Sequence, residues 1–169
     1  ILTSVRGPLA NNQRNLVAIG NQDYGYFTGG FVTSIIHRVD YSNDTATAPQ
    51  RLYLAETTYG AGAVGNQYYG YIAGSHTQPG TKKSLIQRMD YSNDTTNASQ
   101  KASLSQIQSG MSGAGNADFG YLMGGAVPPN AGHSNVERIT YTNDTATTSV
   151  RAFSNAPGYG RAGNSNNTY

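Results

Sequence analysis

Asp40-Tyr41-Ser42-Asn43-Asp44-Thr45 returns as Asp90-Tyr91-Ser92-Asn93-Asp94-Thr95 and, altered, as Thr140-Tyr141-Thr142-Asn143-Asp144-Thr145, each time after 50 residues. Three copies in fixed register mark an array of one structural unit, and that governs the reading of every other motif.

The unit extends to both sides of the hexapeptide. Arg38, Arg88 and Arg138 stand two residues before it. Further upstream lie Tyr24-Gly25-Tyr26, Tyr69-Gly70-Tyr71 and Phe119-Gly120-Tyr121, each preceded by a Gly-Asn pair at Gly20-Asn21, Gly65-Asn66 and Gly115-Asn116. Downstream a basic residue recurs at Arg51, Lys101 and Arg151, with Arg6 as its counterpart before the first copy. By this pattern residues 1–9 end a preceding unit and residues 10–50, 51–100 and 101–150 are complete units. Residues 151–169 then begin a fourth, opened by Gly163-Asn164. The chain starts without Met or a signal peptide, and a processed or truncated protein is expected.

Composition points to an all-β chain. There are 21 Gly, 13 Tyr and only 12% charged residues among 169. Short aromatic and β-branched runs between Gly, Asn, Ser and Thr read as strands joined by turns. At 37% hydrophobic residues, thin layers between neighbouring sheets are easier to build than one large core. The net charge is +2 and the 11 Lys and Arg are scattered at repeat-locked places rather than gathered in a stripe, so no nucleic-acid partner is expected. Without cysteine there is neither a disulfide nor a thiolate metal site. No apolar run of 18 residues exists, and no membrane insertion is expected.

Within the first unit, Leu16–Ile19 reads as a strand ended by a Gly-Asn turn, and Tyr24–Phe27 as a second stopped by Gly29-Gly30. Ile35–Ser42 reads as the third, with Arg38 and Asp40 paired on one face. Asn43-Asp44 is predicted to centre a tight hairpin, both residues tolerating left-handed backbone angles, and Thr45–Ala48 to form the fourth strand, with Pro49 at an edge. Four short strands per 50 residues is a β-propeller blade pattern. The copies differ most between strands two and three, at residues 75–83 and 126–134. Loops on one face of a repeat scaffold are the usual binding region.

These residues resemble the kelch repeat, in which a Gly-Gly doublet closes one strand and a Tyr stands in the next. Gly29-Gly30 with Tyr41 and Gly124-Gly125 with Tyr141 fit, while Gly74-Ser75 with Tyr91 departs from the doublet and the kelch Trp is missing. Closer still is the likeness to a kelch-like family with Tyr-Gly-Tyr and Asp-Tyr-Ser-Asn-Asp-Thr units, associated with tail-fibre and other virion proteins of cyanobacterial and other aquatic phages. That resemblance implies a fibre or adhesion role, in a virion or outside the cell, and brings no reaction with it.

Candidate chemistry reduces to a few residues. Asp40, Asn43 and Asp44 could be drawn as calcium ligands, but the spacing lacks a turn glycine and Thr140 discards the first carboxylate, so a hairpin accounts for them better. His37, His76 and His133 hold unrelated positions in their units, which disfavours zinc or nucleophile chemistry. The repeat-locked Tyr24, Tyr26, Tyr69, Tyr71 and Tyr121 are expected to pack between sheets. Asn43, Asn93 and Asn143 each satisfy Asn-x-Thr, a glycan-acceptor pattern that the hairpin also explains. A ligand site is therefore placed in the variable loops, at His76, Lys82, Lys83, Asn130 and His133.

The expectation is an all-β array of four-stranded antiparallel blades of a kelch-like propeller, acting without cofactor or catalysis. Its expected partners are a host-surface glycan or receptor and other virion subunits, in a homo-oligomer. The competing reading is a self-assembling extracellular fibril subunit, because an open arc of blades exposes a sheet face at each end.

Overall fold

The computed structural model describes residues 4, 6–31, 33–77, 80–160 and 163. Among them there is no α-helix, only strands and three short 3₁₀ turns arranged as three antiparallel sheets. The first sheet is β1 (Val17–Gly20), β2 (Tyr24–Thr28), β3 (Ile35–Asp40) and β4 (Gln50–Tyr53), in chain order. The second is β5 (Gly62–Gly65), β6 (Tyr69–Thr77), β7 (Thr81–Asp90) and β8 (Ser99–Ser103). The third runs β9 (Ser112–Gly115), β10 (Phe119–Met123), β12 (Ala131–Thr140) and β13 (Ser149–Gly158), with β11 (Ala126–Val127) paired to the start of β12. The three sheets do not close into a ring among the described residues. The unit end expected over residues 1–9 lies partly outside the described residues, as do residues 78–79 and most of 161–169; residues 151–158 belong to β13.

Local chemistry explains the hairpins. The Asn of each of the first three Gly-Asn pairs accepts two backbone N–H bonds: Asn21 Oδ1 from Asp23 and Tyr24 at 3.0 and 2.9 Å, and Asn66 and Asn116 likewise. This side-chain turn fixes the register that sets Gly20 opposite Gly25, Gly65 opposite Gly70 and Gly115 opposite Gly120.

At the hexapeptide the structure corrects the sequence expectation. The third strand ends at Asp40, not Ser42, and Tyr41–Asn43 forms a 3₁₀ turn. Asp40 Oδ1 accepts from the Ser42 backbone N–H at 2.9 Å, so the side chain offers the backbone an alternative to the ladder and ends the strand. Asp44 has φ −76°, an ordinary right-handed value. The fourth strand begins only at Gln50, after Pro49.

Arg38 does not pair with Asp40. It reaches the next sheet, where Arg38 Nη1 donates to Asp94 Oδ2 at 2.6 Å and Arg51 Nη2 to Asp94 Oδ1 at 3.1 Å. Tyr26 Oη donates to the same carboxylate at 3.2 Å. The joint between the second and third sheets repeats this, with Arg88 at 2.7 Å and Tyr71 at 3.0 Å from Asp144 Oδ2. Tyr26 stacks on Tyr91 with ring centroids 5.2 Å apart, and Tyr71 on Tyr141 at 5.1 Å. The arginines also lie over aromatic rings of their own sheets, Arg38 over Tyr24 at 4.2 Å and Arg88 over Tyr69 at 4.3 Å. Two buried clusters fill the spaces between sheets, one around Tyr26, Ile36, Leu52 and Met89, the other around Tyr71, Ile86, Leu122 and Ile139. Tyr26 and Tyr71 are fully buried, in keeping with their expected place between sheets.

One position of the third strand carries His37, Gln87 and Glu137, all buried. Gln87 accepts from the Glu56 backbone N–H at 2.9 Å, and Glu137 from that of Ser105 at 2.9 Å. Gln87 and Glu137 thus pin the connection arriving from the preceding sheet, satisfying backbone groups that the ladder cannot.

Candidate functional site

The segments expected to be variable loops are largely hairpin arms. β6 and β7 continue past the core with Ser75 opposite Lys83, His76 opposite Lys82 and Thr77 opposite Thr81. In the third sheet, Ala126 and Val127 pair with Gly132 and Ala131 around a turn holding Asn130 at φ 130°. His133 lies within β12 rather than in a loop.

These arms border a cleft of about 680 Å³ lined from all three sheets and their connections. One side of it is a backbone column. Asn15, Gly60, Gly110 and Gly160 all line the cleft and all have left-handed φ, at 58°, 61°, 72° and 67°. Gly110 N donates to Gly60 O at 2.5 Å and Gly160 N to Gly110 O at 2.9 Å, so successive connections are tied edge to edge. Only glycine or asparagine adopts that backbone at little cost, which accounts for the residue types. Next to the column stand Tyr59, Ser109 and Tyr159, one per unit. Tyr159 is 65% exposed.

Of the five residues the sequence pointed to, His76, Lys82 and Asn130 line this cleft. Lys82 is 6% exposed, and its Nζ donates to Asn130 Oδ1 at 2.7 Å and to Val127 O at 3.1 Å. The pair ties an arm of the second sheet to the turn of the third. Burial holds the Lys82 ammonium below the ordinary lysine range. The His76 ring sits 5.9 Å from that of Tyr59, and its backbone N–H bonds Tyr59 O at 2.8 Å. Lys83 and His133 are not among the lining residues. Strand alternation turns Lys83 away into an ion pair with Glu56, and the His133 ring is engaged by Gln106 Nε2, 2.8 Å from its Nε2.

Other motifs resolve as structure. Asp40 and Asp90 are turned onto Ser42 and Ser92, while Asp94 and Asp144 are taken by arginines, so these carboxylates do not converge. Among the described residues no group of three His, Cys, Asp or Glu could hold a metal ion. His37 is buried with Nδ1 3.3 Å from Ala48 O. Asn43, Asn93 and Asn143 are exposed, their Oδ1 atoms accepting from Thr45, Thr95 and Thr145 at 3.2, 3.2 and 3.5 Å.

Tyr59, Tyr159 and the backbone column were missed in the sequence. The signal was present: Gly60, Gly110 and Gly160 recur every 50 residues, and Asn15 precedes Gly60 by 45, as Gly20 precedes Gly65. Among the described residues the cleft's lining holds ring faces, amides, a hydroxyl, one ammonium and one imidazole, and no carboxylate. Compared with known proteins, the chain matches no family model, and no curated protein is significantly similar to it.

Proposed function

We propose that this chain is a non-catalytic recognition module, blades of a kelch-like propeller in a phage virion fibre or appendage, that grips a host-surface glycan in the cleft. The observation that carries the reading is that His76, Lys82 and Asn130, which come from two sheets and lie up to 54 residues apart in sequence, line one concave site with Tyr59 and Tyr159. Aromatic faces beside amide and ammonium donors are what a sugar ring with its hydroxyl groups requires. The fibre context rests on the repeat resemblance, and copy number in a fibre would multiply a weak single-site affinity.

A glycan array probed with the intact chain tests it. Binding to a defined subset is expected, reduced at least fivefold by Tyr159→Ala, whose side chain is too exposed to matter for folding. No glycan retained by the wild-type chain, or binding indifferent to both Tyr159→Ala and Asn130→Ala, would refute the assignment.

The fibril-subunit reading draws on the end faces. Tyr41, counterpart of the buried Tyr91 and Tyr141, is 53% exposed. Sedimentation separates the two: an open-ended polymer favours the fibril, and a single discrete species the recognition module.

A further inference from the structure

Neighbouring lysines of β7 have opposite fates. Lys83 is neutralised by Glu56, whereas Lys82, nine-tenths buried, has only neutral acceptors among the described residues, the Val127 carbonyl and the Asn130 amide. Those occupy two of its three N–H hydrogens. Among the described residues no Asp or Glu lines the cleft that Lys82 faces. A buried ammonium without a counter-ion is costly, and a charge-assisted bond to an arriving anion relieves that cost in a way a neutral hydroxyl does not. His76, directly across the strand pair from Lys82, lines the same cleft and supplies a second group able to donate to an anion. The remaining described lining is apolar, aromatic, amide or the Ser109 hydroxyl, with no anionic side chain to repel negative charge.

We propose that the cleft is selective for acidic saccharides, with one carboxylate or sulfate substituent seated on Lys82 beside His76 and the sugar ring against Tyr59 and Tyr159. This rests on the cleft being a saccharide site and specifies which class it takes.

The intact chain is titrated calorimetrically with acidic oligosaccharides bearing uronate, sialate or sulfate, each beside its neutral counterpart of the same length. At least one acidic member should bind tenfold or more tightly than its neutral partner, and that margin should shrink as NaCl is raised from 20 to 500 mM. Lys82→Gln should erase the margin while Lys83→Gln leaves it intact. The salt dependence is read on the wild-type chain, so it stands even if Lys82→Gln loosens the arm. Uronate or sialate binding without sulfate binding identifies a carboxylate site, and the reverse a sulfate site. Equal binding of acidic and neutral partners overturns the acidic preference while leaving the saccharide reading in place. Binding of none of them overturns the saccharide reading, and this proposal with it.

Discussion

Asp94 shows how much of this molecule rests on single side chains. Burial alone would raise its pKa, but hydrogen bonds from Arg51 and Arg38 outweigh that and hold it below the usual carboxylate range. Asp94→Asn leaves two guanidinium groups facing a neutral amide, and we expect a loss of about 3 kcal/mol of stability in urea unfolding, as for a buried pair broken on one side. Tyr26→Phe, which removes one donor to the same carboxylate, should cost about 1 kcal/mol. The pH dependence follows from the directions. A depressed folded-state carboxyl contributes stability that is complete above its unfolded value near pH 4 and is lost as pH falls through the folded value. Tyr26 and Tyr71 are pushed above the ordinary tyrosine range by burial and by the adjacent Asp94 and Asp144. Their contribution is complete below about pH 10 and is lost as pH rises toward the folded values. The urea midpoint should therefore be level from about pH 5 to 9 and fall on both sides. Asp94→Asn should flatten the acid limb, and Tyr26→Phe with Tyr71→Phe the alkaline one. A midpoint with a single maximum near pH 7 would contradict this account.

At the scale of the strand, Gly70 explains why aromatic residues flank a glycine in every unit. A Cβ there would lie 2.2 Å from Ile19 Cδ1 of the preceding sheet and 2.8 Å from Tyr91 Oη. Gly120 meets Val64 Cγ2 at 2.5 Å and Tyr141 Oη at 2.8 Å. The missing side chain lets the neighbouring sheet and the 3₁₀-turn tyrosine close onto one spot. Gly70→Ala should cost about 1–3 kcal/mol through overpacking, and Ile19→Val in the same chain, which deletes the clashing methyl, should recover part of it in thermal unfolding. No recovery would mean that the tyrosine contact alone sets the spacing. Strand existence, the Gly-Asn turns and inward-facing tyrosines were legible because each is written in local residue types at a fixed period. The hexapeptide misled for a physical reason. Asp40 competes for the backbone of Ser42, and nothing local in Arg38-Val39-Asp40 reveals that the arginine's partner stands 56 residues away. The same limit hid Lys83's partner, Glu56, and the difference between adjacent lysines. Lys82 and Asn130 were named as residues of irregular segments, but their contact depends on how two hairpin arms lean together.

On the scale of the whole chain, each joint between neighbouring sheets carries one tyrosine stack and one arginine–aspartate clamp, set in a buried cluster. Stability in such an array is a sum of sheet terms and nearest-neighbour terms, so weakening one joint should act locally. Asp94 sits in the joint between the first and second sheets, and Asp144 in that between the second and third. Hydrogen exchange followed by mass spectrometry should show Asp94→Asn lowering protection chiefly in residues 17–53, with residues 112–140 close to wild type. Asp144→Asn should do the reverse, exposing residues 112–158 and sparing the first sheet. The second sheet, gripped on both sides, should be the most protected in either variant. The backbone column that ties Gly60, Gly110 and Gly160 runs across successive connections, so it offers a route by which the effect of a broken joint is carried further. If either variant lowered protection uniformly across all three sheets, that column, and not the paired clamps, would be what holds the array together.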